Sequence, residues 1–84
     1  MQREVWGRVK EEYIIEDNGY MVTIKGLNKG IKFDRRHQIA MPEEVVPHPF
    51  VIYELRQIVI IPKEREKHFK EYLRKLGYIK IKEE

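Results

Sequence analysis

Five positive side chains fall between residues 25 and 36: Lys25, Lys29, Lys32, Arg35 and Arg36, against the single acid Asp34. Cations at this density on paired strands, with an aromatic ring beside them, suit single-stranded nucleic acid. The cations meet phosphates and the ring stacks on a base. Trp6, on the strand expected to precede them, is the ring that a sheet would bring close. Trp6, Lys25, Lys29, Lys32, Arg35 and Arg36 are therefore the candidate nucleic-acid-binding residues. The competing expectation is a solvated face on which these lysines pair with Glu11, Glu12 and Glu16 across a hairpin.

The remaining reactive types do not assemble into a motif. Histidines stand at 37, 48 and 68. A zinc site needs three or four converging ligands, and a catalytic histidine needs a positioned acid or nucleophile. Glu64 and His68 lie one helical turn apart and could share an ion, but an exposed i, i+4 pair is the simpler reading. Cysteine and serine are absent, and Thr23 is the only threonine, which removes thiolate ligands and serine nucleophiles. Gly26 and Gly30 bracket Leu27-Asn28-Lys29 but join two strands and lack the helix start that cradles phosphate. The expectation is no catalytic residue, no metal and no cofactor.

The elements that would position these residues come from periodicity. Residues 3–16 alternate and read as one long first strand, with Gly7 marking a bend. Asp17-Asn18-Gly19 signals a hairpin, because Asn and Gly accept positive φ. Residues 20–25 and 31–34 read as the next strands of an antiparallel meander, joined by a turn at 26–30. Residues 35–49, with prolines at 42, 47 and 49, read as an ordered loop crossing the sheet, in which 42–46 suit one helical turn. Residues 50–61 read as one long strand or two collinear ones, with a short helix at 50–56 as the competing reading; Glu54 and Arg56 share a face and can pair. Residues 62–76 form the clearest helix: Phe69, Tyr72, Leu73 and Leu76 make an apolar stripe. Gly77 follows as a left-handed cap, with Tyr78 packing back on Leu73, and residues 78–81 form a last strand.

The order β-β-β-loop-β-α-β predicts a single α+β domain over residues 1–84: an antiparallel sheet of about five strands, open or partly closed as a small barrel, with one helix on it. Charged residues make up 37% of the chain, a profile shared by proteins that work at high temperature. The net charge is only +3. Residues 1–47 hold eight basic against eight acidic residues, and residues 48–84 hold nine against six. This imbalance is small for a domain driven by phosphate contacts, so any such binding should be weak and salt-sensitive. No signal-like or membrane-spanning apolar run is evident, and the lack of cysteine suits a reducing cytoplasm. One helix covers one face of a sheet, whereas Trp6, Met21, Ile14 and the aliphatic strand from Val51 to Ile61 supply apolar residues to both. The second expectation is therefore a partner-binding protein that forms a homo-oligomer through an apolar sheet face or edge.

Overall fold

Lys10 has a φ of 63°, in the left-handed region that two-residue hairpin loops need. That one residue divides the expected first strand. A computed structural model, which describes residues 1–84, places β1 at Gln2–Arg8 and β2 at Glu11–Asp17, paired antiparallel from Gln2↔Asp17 to Arg8↔Glu11. The turn is held from outside: Asn28 Nδ2 donates to the Lys10 carbonyl over 2.8 Å. The correction matters because side chains alternate along a strand, and a two-residue loop reverses which parity faces inward. In β2 the odd residues Tyr13 and Ile15 face the core, but in β1 it is the even residue Trp6 that pairs with Tyr13.

The Asp17-Asn18-Gly19 hairpin forms as the sequence indicates. Gly19 has a φ of 98°, and the Asn18 side chain accepts from the amides of Tyr20 and Met21 at 3.0 and 2.8 Å. β3, Met21–Leu27, follows and pairs with β2. The expected meander then breaks. The chain turns sharply at Gly26, where an added Cβ would lie 2.0 Å from the Lys29 carbonyl oxygen, so no larger residue fits. β4, Ile31–Asp34, consequently leaves the first sheet.

β5, Ile39–Pro42, pairs back on β4 and occupies part of the stretch expected as loop. After it comes a single turn, with the Val45 amide on the Pro42 carbonyl at 3.0 Å, in place of a helical turn. The expected strand at 50–61 is two strands in different sheets: β6, Glu54–Arg56, on β4, and β7, Ile58–Pro62, on β3. Gln57 separates them. Its carbonyl accepts from the Gly26 amide at 2.9 Å, and its side-chain amide donates to the carbonyls of Gly26 and Lys29.

A 3-10 turn, Lys63–Arg65, leads into α1, Glu66–Lys75. Phe69 and Leu73 are fully buried, and Tyr72 and Leu76 partly so. Gly77 at a φ of 87° ends the helix, with the Tyr78 amide on the Leu73 carbonyl at 2.9 Å and the Gly77 amide on Arg74 at 3.1 Å. β8, Ile79–Glu83, pairs with β1 through a bulge at Val5/Trp6.

The fold is α+β, with eight antiparallel strands and one helix in the second half. The large sheet runs β7-β3-β2-β1-β8 and the small sheet β5-β4-β6, and the large sheet is not closed into a barrel. The core lies between the inner face of the large sheet and a second layer made of α1 and the small sheet. It joins Trp6, Tyr13, Ile15 and Ile24 to Phe33, Ala40, Phe69 and Leu73. Tyr13 meets Phe69 edge-on with ring centroids 5.3 Å apart. No helix is long and apolar enough to cross a membrane.

Candidate binding faces

Register and alternation assign the outer face of the large sheet. The pairs Ile14↔Lys25↔Ile58 and Glu16↔Thr23↔Ile60 lie across it, and the β8 bulge turns Ile79 and Ile81 to the same side. There Ile81 approaches Gly7 so closely that a Cβ on the glycine would lie 3.0 Å from its Cδ1. Four isoleucines on this face are more than half exposed: Ile58 at 53%, Ile60 at 58%, Ile79 at 64% and Ile81 at 52%. Ile58 and Ile60 stand on one edge strand and Ile79 and Ile81 on the other, and the three strands between them carry Val5, Ile14, Met21 and Thr23 together with Arg3, Glu12, Glu16 and Lys25. The charged groups here are paired with one another. Glu16 sits 3.7 Å from both Arg3 and Lys25, and Glu84 takes Arg3 at 3.3 Å and Lys82 at 2.7 Å.

The six residues singled out for nucleic acid do not share one surface. Lys25 lies on the outer face beside Glu16, and Lys29 lies in the β3–β4 turn, 3.6 Å from Glu11. Those two contacts match the neutralised hairpin that the sequence offered as its competing reading. Lys32 Nζ donates to the Val45 carbonyl at 3.0 Å, and Arg35 meets Glu54 at 3.2 Å. Arg36 is exposed and makes no ion pair. Trp6 is 5% exposed; its indole donates to Glu4 at 2.8 Å, and the Arg74 guanidinium lies 5.2 Å from the ring centroid. The ring therefore offers no surface for a base. The parity reversal at Lys10 accounts for this, since unbroken alternation through residues 3–16 would put Trp6 on the face opposite Tyr13 and Ile15.

A cleft of about 500 Å³ opens between the β4–β5 turn and the segment entering β6. Asp34, Arg35, Arg36 and His37 line one side; Phe50, Val51, Ile52 and Glu54 line the other. The Asp34 side chain is almost fully buried and accepts from the His37 amide at 3.2 Å, with His37 Nδ1 2.7 Å from its other oxygen. Burial pushes this carboxyl up, but the hydrogen bonds from the His37 ring and amide outweigh it and hold it below the usual range. Phe50 and Ile52 are each 89% exposed. They read as strand residues in the sequence, so their exposure on a proline-bounded loop was not foreseen. The Glu54–Arg56 pair forms as expected, at 2.6 Å.

The other polar clusters serve the fold. Arg8 joins Glu11, Glu44 and the Leu76 carbonyl and lies over the Tyr78 ring, 4.5 Å from its centroid. Tyr78 has its hydroxyl pushed up to about 12, first by burial. Glu64 and His68 are joined by no third ligand, and no group of three His, Asp or Glu side chains is placed to hold a metal ion. Comparison with protein families, curated proteins and solved structures finds no match for this chain.

Proposed function

We propose that this chain is a non-enzymatic binding module that works as a homodimer joined through the outer face of its large sheet. The observation that carries the reading is the pair of exposed isoleucines at each edge of this face, Ile58 and Ile60 on β7 and Ile79 and Ile81 on β8, all more than half exposed on a face that neither α1 nor the small sheet covers. Large apolar side chains gathered on one uncovered face, among polar residues, mark an interaction surface.

Charge and size favour a second copy as the occupant. A two-fold contact sets one patch against itself, so the patch must be self-complementary. Arg3, Lys25 and Lys82 balance Glu12, Glu16 and Glu84 on this face, which makes it neutral and mixed in sign. Such a face tolerates its own image and gives no net attraction to a polyanion. Five strands at ~4.8 Å spacing and about six residues at ~3.4 Å rise give roughly 500 Å² in projection. Side-chain relief brings the accessible area near the ~800 Å² per partner of a standard interface. The free edge of β8 is a poorer candidate, because Lys80 and Lys82 alternate along it and discourage strand addition.

Nucleic acid on the stretch from Lys25 to Arg36 is the less favoured reading, since three of its five cations already have carboxylate partners and Trp6 lies inside. The absence of serine and cysteine supports a role in binding over covalent catalysis. The test is sedimentation equilibrium over a micromolar concentration series. The expected mass is that of two 10.3 kDa chains. A mass of one chain at every concentration would sink the proposal.

A further inference from the structure

The cleft at the end of the small sheet places an unpaired arginine and an exposed aromatic ring on facing walls. Its first wall is the β4–β5 turn. Arg36 has no ion-pair partner in the protein, so its guanidinium donors are open to a ligand. Arg35 is held by Glu54 at 3.2 Å, yet its side chain is 73% exposed. The His37 ring is fixed through Nδ1 by Asp34, and its Nε2 has no protein partner. The second wall is apolar. Phe50 leans against His48, with ring centroids 5.5 Å apart and planes at 51°, and is otherwise open to solvent; Ile52 is equally exposed.

These walls call for a ligand of two parts. A guanidinium fork matches the oxygens of a phosphate, and a flat ring suits the face of Phe50. The volume of about 500 Å³ lies within the ~300–1,000 Å³ of small-ligand sites. Asp34 and Glu54 line the same cleft, and their charge disfavours a dense anionic surface. A single phosphate next to Arg36 fits better. We infer that this cleft binds a nucleotide, with its phosphate at Arg36 and its base against Phe50. The site keeps Arg35 and Arg36 of the basic stretch and replaces the buried Trp6 with Phe50. It belongs to the small sheet, in the layer opposite the outer face of the large sheet, so it stays open in the homodimer and does not depend on it.

The experiment is an amide chemical-shift titration of the full chain with AMP, adenosine, inorganic phosphate and a single-stranded oligoadenylate. AMP should shift the amides of residues 34–37 and 50–54, and adenosine or phosphate alone should bind at least tenfold more weakly. An oligoadenylate that binds tenfold tighter than AMP identifies a strand as the source of the nucleotide; equal affinity identifies the free nucleotide. Arg36→Glu and Phe50→Ala, both at exposed positions, should each weaken binding at least tenfold while the remaining amide peaks stay in place. Absence of shifts at millimolar AMP, shifts confined to other residues, or unchanged affinity in both variants would overturn the inference.

Discussion

Leu73→Ala asks whether α1 carries the core in the way the fold implies. Leu73 is fully buried in the cluster that also holds Tyr13, Ile61, Phe69 and Tyr78. The substitution removes three carbon groups from the interior, and at ~0.8 kcal/mol per buried methylene the lost transfer energy is ~2.4 kcal/mol. A residual void of up to ~60 Å³, at about 24 cal/mol per Å³, adds as much as ~1.5 kcal/mol. The total, roughly 2.5–4 kcal/mol, is a large part of the ~5–15 kcal/mol that holds a domain folded. Each kcal/mol moves the melting temperature of a domain this size by ~4–8 °C, so the melt should fall by ~10–30 °C. Far-UV circular dichroism at fixed protein concentration reads the shift, fixed because association also moves the melt. A guanidinium titration gives the same quantity where the melt lies too high to complete. Leu76, on the same stripe but only partly buried, is the internal control and should cost at most half as much. A Leu73→Ala shift under ~4 °C, or one no larger than that of Leu76→Ala, would refute the assigned helical face.

Two further outcomes test local features. Lys10→Gly should raise stability by up to ~1 kcal/mol, because it relieves a left-handed conformation that costs a side-chain-bearing residue about that much. A lower melting temperature for that variant would contradict the β1–β2 turn as described. Asp34 has a folded-state pKa below its unfolded value, so its contribution is present above the ordinary carboxylate range and is lost as pH falls through the lower folded value. Asp34→Asn should therefore destabilise the protein at neutral pH, with the gap to wild type closing below about pH 4. A gap that stays constant from pH 7 to pH 2 would show that the His37 contact carries no charge-dependent stability.

The parts of the fold that were legible are those whose signal is local. The Phe69–Leu76 stripe, Gly77 after it and Asn18-Gly19 each act through their own neighbourhood, and all three sit where the sequence places them. The features that were missed depend on distant partners. Lys10 takes a positive φ without being Gly or Asn, and the side chain that steadies it, Asn28, comes from a later turn. Gln57 divides an aliphatic run that is continuous in sequence, and it does so through bonds to Gly26 and Lys29. The site inherited the first of these errors. Once the turn at Lys10 was missed, Trp6 was assigned to the wrong face, and a core residue looked like a stacking platform. The two-sided apolar character of the sheet was legible from Ile14, Met21 and the run ending at Ile61. The cleft was not, because Phe50 and Ile52 carry strand-like side chains on a segment that pairs with nothing.

The central claim is that the outer face of the large sheet joins two copies of this chain, and its most direct test is the solution mass of Ile60→Glu beside Ile52→Glu. Both positions are exposed, Ile60 on the outer face of the edge strand β7 within the proposed interface and Ile52 on the loop of the opposite layer. The account predicts that Ile60→Glu sediments as one chain with an unchanged circular dichroism spectrum, while wild type and Ile52→Glu sediment as two. A two-chain mass for Ile60→Glu, or dissociation caused by Ile52→Glu instead, would contradict it.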